Sequence, residues 1–172
     1  MRAMKVLPSF LHASQACLDL IKRFEDEAGF RTGRCTRTKA YKCPSGVWTI
    51  GWGHTRGVFE GMEITSEMAD EFLLEDIFSV EMELRSLLNC TPLTQSQWDA
   101  LVSLCFNLRG GPRALPKIAP KLYRALKAGD DEAAAREFLD IVKANGTVLP
   151  GLVLRRQLEA ALFLSDSGAA SE

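Results

Sequence analysis

The stretch Tyr41-Lys42-Cys43-Pro44-Ser45-Gly46-Val47-Trp48-Thr49-Ile50-Gly51-Trp52-Gly53-His54-Thr55 limits what this chain can fold into more than any other. Val47, Trp48, Thr49 and Ile50 are a β-branched and aromatic run, and Pro44-Ser45-Gly46 before them is turn chemistry. Together they predict a β-hairpin. Gly51 and Gly53 flank the bulky Trp52, which predicts a bulge or a close approach of two backbones. A short strand carrying Thr, His and Cys among glycines reads as a site held on a small sheet, not as a core element.

Around this ribbon the chain reads as helices. Residues 14–24 are amphipathic, with Cys17, Leu20, Ile21 and Phe24 at three- and four-residue steps, and Glu25 falls where that helix should end. A carboxylate there faces the negative end of the helix dipole, which disfavours its ionised form and suits a group that must hold a proton. Ile64-Thr65-Ser66-Glu67 opens a long helix, with Thr65 or Ser66 as N-cap. Its apolar stripe of Leu73, Ile77, Val80, Leu84 and Leu87 runs to about Leu88, a length of ~35 Å at the α-helical rise. Thr94 and Gln97 form a capping box, with Leu93 able to staple to Trp98. The helix they start is apolar on nearly every side through Phe106, and Arg109-Gly110-Gly111-Pro112 ends it. Further helices are expected over 118–128, 131–142 and 151–164. Asn145-Gly146 should be a turn, Pro150 should sit at a helix start, and 165–172 should fray. One short sheet followed by helices makes the class α+β.

Residues 26–40 hold Gly29 and Gly33 together with Arg31, Arg34, Arg37 and Lys39, and read as a loop or an extended hairpin. That segment is either a solvated insertion or a basic flap against an anionic envelope polymer.

At 172 residues, 47% of them hydrophobic, the chain can build one domain, or two small lobes, with a sizeable core. Lys and Arg number 21 against 22 Asp and Glu, so the charge balance points to no nucleic-acid partner. No apolar run approaches the ~18 residues of a membrane span, so no stable membrane insertion is expected. Residues 1–10 carry Arg2 and Lys5 without a long apolar run and do not read as a signal peptide. The five cysteines, at 17, 35, 43, 90 and 105, are odd in number and irregular in spacing. This argues against a disulfide framework, and no pair has C-x-x-C zinc spacing, so no metal is expected. Cys17 and Cys105 lie in apolar helical patterns and should be small buried hydrophobes, while a Cys35–Cys43 bridge stays open.

Y-K-C-P-x-G-x-W-T-I-G-W-G-H-T resembles the signature hairpin of the phage-type lysozymes, glycoside hydrolase family 24, and a weaker likeness extends over about residues 14–164. The resemblance implies a single lysozyme-like domain over 1–172. Its parts would be a small N-terminal β-hairpin lobe (about 14–64), a connecting helix (about 65–88) and a larger C-terminal helical lobe (about 92–164), with the active cleft between the lobes. It implies that Glu25, in Ile21-Lys22-Arg23-Phe24-Glu25, is the general acid. Glu27 competes, because Glu27-Ala28-Gly29 imitates the family's Glu-Gly. Cys43 stands where the family carries Asp or sometimes Cys, and Thr49 where it carries a Thr that holds the attacking water. That makes Glu25, Cys43 and Thr49 the catalytic candidates of an inverting hydrolase. An ordinary thiol, with its pKa near ~8.5, is a poor base at neutral pH unless its surroundings perturb it.

The same likeness implies an ion pair between His54 and Asp76. Phe106-Asn107 matches F-N-x-G, although Arg109 stands where the Gly is expected; Asn107 either binds substrate or caps its helix. Trp52 is a second candidate for substrate contact. Gly151-Leu152-Val153-Leu154-Arg155-Arg156 resembles G-L-V-x-R-R, so Arg155 or Arg156 faces the cleft, pairs with a carboxylate, or lies on an exposed basic face; Arg155 is placed among the supporting residues.

The function implied is that of an endolysin-type muramidase. It would cleave the β-1,4 bond between N-acetylmuramic acid and N-acetylglucosamine in peptidoglycan, as a monomer without cofactor. It would accumulate in the host cytoplasm and reach the cell wall once the membrane is opened. Two other readings stand beside it: a muramidase-like module that binds glycan strands without cutting, motivated by Cys43 and by Asp26 where the family has Gly, and a lytic transglycosylase.

Overall fold

The computed structural model describes residues 3–144 and 146–166. Arg2, Asn145 of the expected turn, and residues 167–172 of the expected frayed tail lie outside them. The chain divides into two compact units, Leu18–Ser79 and the pair of segments Met1–Cys17 and Val80–Glu172. Among the described residues there are eight α-helices and two two-stranded antiparallel ribbons, so the class is α+β.

Helix α1 (Gln15–Glu25) enters the Leu18–Ser79 unit and stops on Glu25, as its apolar repeat predicts. Asp26 then caps a second helix, α2 (Glu27–Thr32), by accepting from the Gly29 amide at 3.1 Å. Gly33 ends that helix with φ of 70°, a left-handed turn that glycine adopts without a Cβ clash. The expected loop or extended hairpin at 26–40 is therefore half helix. Its second half is extended and tied to the approach to α3 (Ser66–Leu87): Ala40 N–H donates to the Met62 carbonyl, and Ile64 N–H to that of Thr38, both at 2.9 Å.

Strands β1 (Tyr41–Lys42) and β2 (Trp48–Thr49) pair antiparallel, Tyr41 opposite Thr49 and Lys42 opposite Trp48. The Cys43 amide donates to the Val47 carbonyl at 2.9 Å, and the Gly46 amide to that of Cys43 at 2.8 Å, which closes the predicted turn. Ile50 and His54 exchange both backbone bonds at 2.9 Å around Gly51-Trp52-Gly53. A Cβ on Gly51 would stand 3.1 Å from the Ala69 Cβ, so the expected close approach is real, and it is to α3. Thr65 caps α3 by accepting from the Met68 amide at 3.2 Å; Ser66 instead accepts from the Cys35 amide at 2.9 Å. Ala69, Leu73 and Ile77 of α3 are buried, as are Ile50 and Ile64.

In the other unit, α4 (Gln95–Asn107) opens on the capping box read from Thr94 and Gln97, and both of its hydrogen bonds form. Ser96 through Cys105 are all buried, so α4 is the core of this unit. It packs on α8 (Pro150–Ser165), which starts at Pro150 as expected. The intervening helices differ from expectation. An unforeseen α5 (Gly111–Ile118) carries Pro112 at its start and Pro116 inside, α6 (Pro120–Ala128) follows it, and α7 (Asp131–Phe138) stops short of residue 142. A second ribbon, β3 (Lys143–Ala144) with β4 (Thr147–Val148), leads into α8. The N-terminal segment is strapped on by Val6 and Leu93, which exchange two backbone bonds at 2.9 Å. Arg85 secures it further through the carbonyls of Pro8 (3.2 Å) and Leu11 (2.6 Å).

All five cysteines are free, and the Cys35–Cys43 bridge left open by the spacing is not formed. Cys17 and Cys105 are buried at 0% and 1% exposure, as expected of small hydrophobes. Among the described residues no helix is long and apolar enough to cross a membrane.

Candidate active site

Within the Leu18–Ser79 unit the end of α1 meets the exit of the hairpin. A Cβ on Gly53 would lie 3.2 Å from Glu25 Oε2, so this glycine's bare backbone lets the carboxylate approach the ribbon. Glu27, the competing position, is exposed in the first turn of α2 and bonded to Arg31 at 2.6 Å. The geometry therefore sets Glu25, and not Glu27, beside the hairpin.

Cys43 and Thr49 share one anchor. The Val47 carbonyl accepts the Cys43 amide at 2.9 Å and the Thr49 hydroxyl at 3.1 Å. Thr49 is 4% exposed, with its hydroxyl proton directed at Val47 and its lone pairs left to accept. The Cys43 sulfur lies 3.0 Å from Ser45 Oγ. This side-chain hydrogen bond, followed by the backbone bond at Val47, lowers the thiol from its ordinary value to about 7.

Immediately after Glu25, Asp26 is 5% exposed and accepts from Thr36 Oγ1 (2.6 Å), Thr36 N (2.7 Å) and Gly29 N (3.1 Å). Burial opposes its charge, but these hydrogen bonds and the nearby Arg37 outweigh burial and hold the carboxyl below its ordinary value. The sequence offered no sign of this anchor. Asp26 could be read only as a departure from a family glycine, because Thr36, which gives it two hydrogen bonds, lies ten residues further on.

The supporting residues group as follows. His54 Nδ1 lies 2.8 Å from Asp76 Oδ2, and Nε2 lies 2.8 Å from the Arg56 carbonyl, with the ring stacked on Phe72 at 4.5 Å. Both ring nitrogens are occupied, so the residue braces the hairpin exit. Trp52 is 2% exposed and its Nε1 donates to Asp70 at 2.6 Å, while Lys22 bonds the same Asp70 oxygen at 2.7 Å and sits 5.0 Å above the indole. Such burial removes the face a sugar would stack on. Trp52, expected as a substrate contact, is packed on Asp70 and Lys22, two supports that periodicity could not reveal.

In the other unit, Arg155 and Arg156 are each 2% exposed, which rules out an exposed basic face. Both pair with the fully buried Glu159, Arg155 Nε at 3.1 Å and Arg156 Nη1 at 2.6 Å, and Ser103 Oγ adds a bond at 2.7 Å. Arg156 Nη2 donates to Asn107 Oδ1 at 2.7 Å, so Asn107 is held at the end of α4 by a buried charge network.

The family model "Phage lysozyme" matches residues 33–159, a stretch that includes Cys43 and Thr49 but starts after Glu25. An endolysin of Acyrthosiphon pisum secondary endosymbiont phage 1 is 43% identical over 159 residues, covering 90% of this chain and 99% of that one. The muramidase domain of SpmX from Asticaccaulis excentricus is 36% identical with a TM-score of 0.75, covering 90% of this chain and 98% of that one. The active form of the P1 phage endolysin Lyz is 26% identical with a TM-score of 0.78, covering 94% and 90%. With most of its length under the family model and a near full-length endolysin relative, the chain belongs to the phage lysozyme family and is a glycoside hydrolase of the lysozyme type.

Proposed function

We propose that this chain is an endolysin-type muramidase that hydrolyses the β-1,4 bond from N-acetylmuramic acid to N-acetylglucosamine in peptidoglycan. The observation that carries the reading is the juxtaposition in one unit of Glu25, against Gly53, with the ribbon bearing Cys43 and Thr49. Glu25 donates the proton to the leaving glycosidic oxygen. Thr49, its own proton spent on Val47, accepts from a water and holds it on the opposite face of the sugar. The Cys43 thiol, at about 7, is partly thiolate at neutral pH and supplies the negative charge that stabilises the oxocarbenium-like transition state. Attack by that water, whose proton passes to the Cys43 thiolate, inverts the anomeric centre, a geometry that needs ~6.5–9.5 Å between the acid and the water-holding group.

The enzyme acts on the cell wall as a monomer and accumulates in the host cytoplasm before lysis. The test is turbidity loss and reducing-end release from purified sacculi. Wild type should clear them and Glu25→Gln should not. Binding without clearance by the wild type would support the glycan-binding module, and anhydro-muramyl ends would support a lytic transglycosylase.

A further inference from the structure

On the ribbon, Tyr41 and Thr49 are cross-strand partners, so their side chains stand on one face, and Lys42 and Trp48 stand on the other. Arg37 joins the first of these faces. Its guanidinium lies 5.1 Å above the Tyr41 ring, and Nη1 donates to Tyr41 Oη at 2.6 Å. Its backbone is fixed on every side. The Gly51 amide donates to the Arg37 carbonyl at 2.8 Å, Thr36 is locked to Asp26 through both its amide and hydroxyl, and the Thr38 carbonyl accepts from Ile64 at 2.9 Å. The nearby Asp26 feels the charge of this cation but spends its hydrogen bonds on Gly29 and Thr36. Arg37 itself is exposed.

We infer that Arg37 is a substrate-binding residue that receives a carboxylate of the peptide stem and sets the strand's position against Thr49. The inference rests on the muramidase reading above. Three features support it. The guanidinium fork presents five N–H donors, of which the bond to Tyr41 uses one, and it matches a carboxylate bidentately. Stacking on Tyr41 and the pinned backbone leave little side-chain or loop freedom to lose on binding. Peptidoglycan is anionic near the scissile bond through the carboxylates of its peptide stem, whose amide link to the muramyl sugar neutralises the lactyl carboxyl. The segment after α2, anchored by Asp26, thereby acts as a bracket that delivers a cation to the reactive face of the ribbon.

The test compares wild type, Arg37→Met and Arg37→Lys on native sacculi and on sacculi whose carboxylates have been capped with carbodiimide and methylamine. On native sacculi Arg37→Met should raise KM about tenfold with kcat nearly unchanged, the loss expected of one charge-assisted pair. Arg37→Lys should recover part of it. On capped sacculi wild type and Arg37→Met should have equal KM. Tyr41→Phe removes the hydroxyl that orients the guanidinium and should give a smaller KM rise in the same direction. Equal KM for wild type and Arg37→Met on native sacculi overturns the inference, as does an equal loss on native and capped ones. Failure of the wild type to release reducing ends from native sacculi would instead sink the muramidase reading itself.

Discussion

Replacing Gly53 by alanine tests whether the contact between α1 and the hairpin governs the chemistry. Two costs separate at this position. The backbone has φ of +101°, so any Cβ is strained, at about 1–2 kcal/mol for a residue forced to positive φ. That corresponds to a Tm lowered by ~2–8 °C, since about 1 kcal/mol moves a chain of this length by ~2–4 °C. The added methyl would also stand 3.2 Å from Glu25 Oε2 and 3.6 Å from its Cδ, so the carboxyl must retreat by a few tenths of an ångström. Misplacement by ~1 Å costs about a hundredfold in rate, so such a retreat should lower kcat by about four- to tenfold, with KM little changed. Gly57 supplies the control: its φ is +71° and a Cβ there meets nothing within 4 Å. Gly57→Ala should lose similar stability and keep its kcat. Initial rates of reducing-end release and thermal melts of both variants measure the two costs. Wild-type kcat in Gly53→Ala, or an equal kcat loss in Gly57→Ala, would refute the reasoning.

The remaining predictions concern charge. Glu159→Gln removes the carboxylate shared by two buried guanidinium groups, and should cost about 3–5 kcal/mol. With a urea m-value of ~2 kcal/mol/M, the midpoint should fall by about 1.5–2.5 M, and a shift under ~0.5 M would contradict it. Alkylation of Cys43 by iodoacetamide, followed by peptide mass spectrometry, should be half-maximal near pH 7, slowing as acid protonates the thiolate, and Ser45→Ala should move the inflection upward. An inflection near the ordinary thiol value of ~8.5 in the wild type would reject the perturbed thiol. Asp26, whose folded carboxyl titrates below its ordinary 3.8, stabilises the fold fully above that value and loses the contribution as pH falls through the lower folded one. Asp26→Asn should therefore melt below wild type at pH 7, and the gap should close in strong acid; a gap that widens there would reverse the sign.

How much was legible from residues alone depended on how local the determining contacts are. The stop of α1 at Glu25, the Thr65 cap of α3 and the Thr94–Gln97 box of α4 all involve partners within one turn, and each formed. The short helix α2 went unread because six residues are too few to show a period, and its cap Asp26 is fixed by Thr36, in the extended part of the same segment. Helix α5 was obscured by Pro112 and Pro116, which normally argue against helix; one lies where the amide has no partner, and the other falls late in a short helix. At the site, the ribbon and its Cys43 and Thr49 were visible as a pattern of strand and turn residues, whereas the pairing of His54 with Asp76 came through family likeness. The burial of Trp52 on Asp70 and of Arg155 and Arg156 on Glu159 was invisible, because a charged side chain tells nothing of its own burial until its partner is placed.

The anomeric configuration of the first-formed reducing ends, read by proton NMR during digestion of a soluble peptidoglycan fragment, bears on the acid and the held water together. A Glu25 acid working with a Thr49-bound water predicts α-anomers as the initial product from the β-linked strand, with no product from Glu25→Gln. Initial β-anomers, or undiminished turnover by Glu25→Gln, would contradict it.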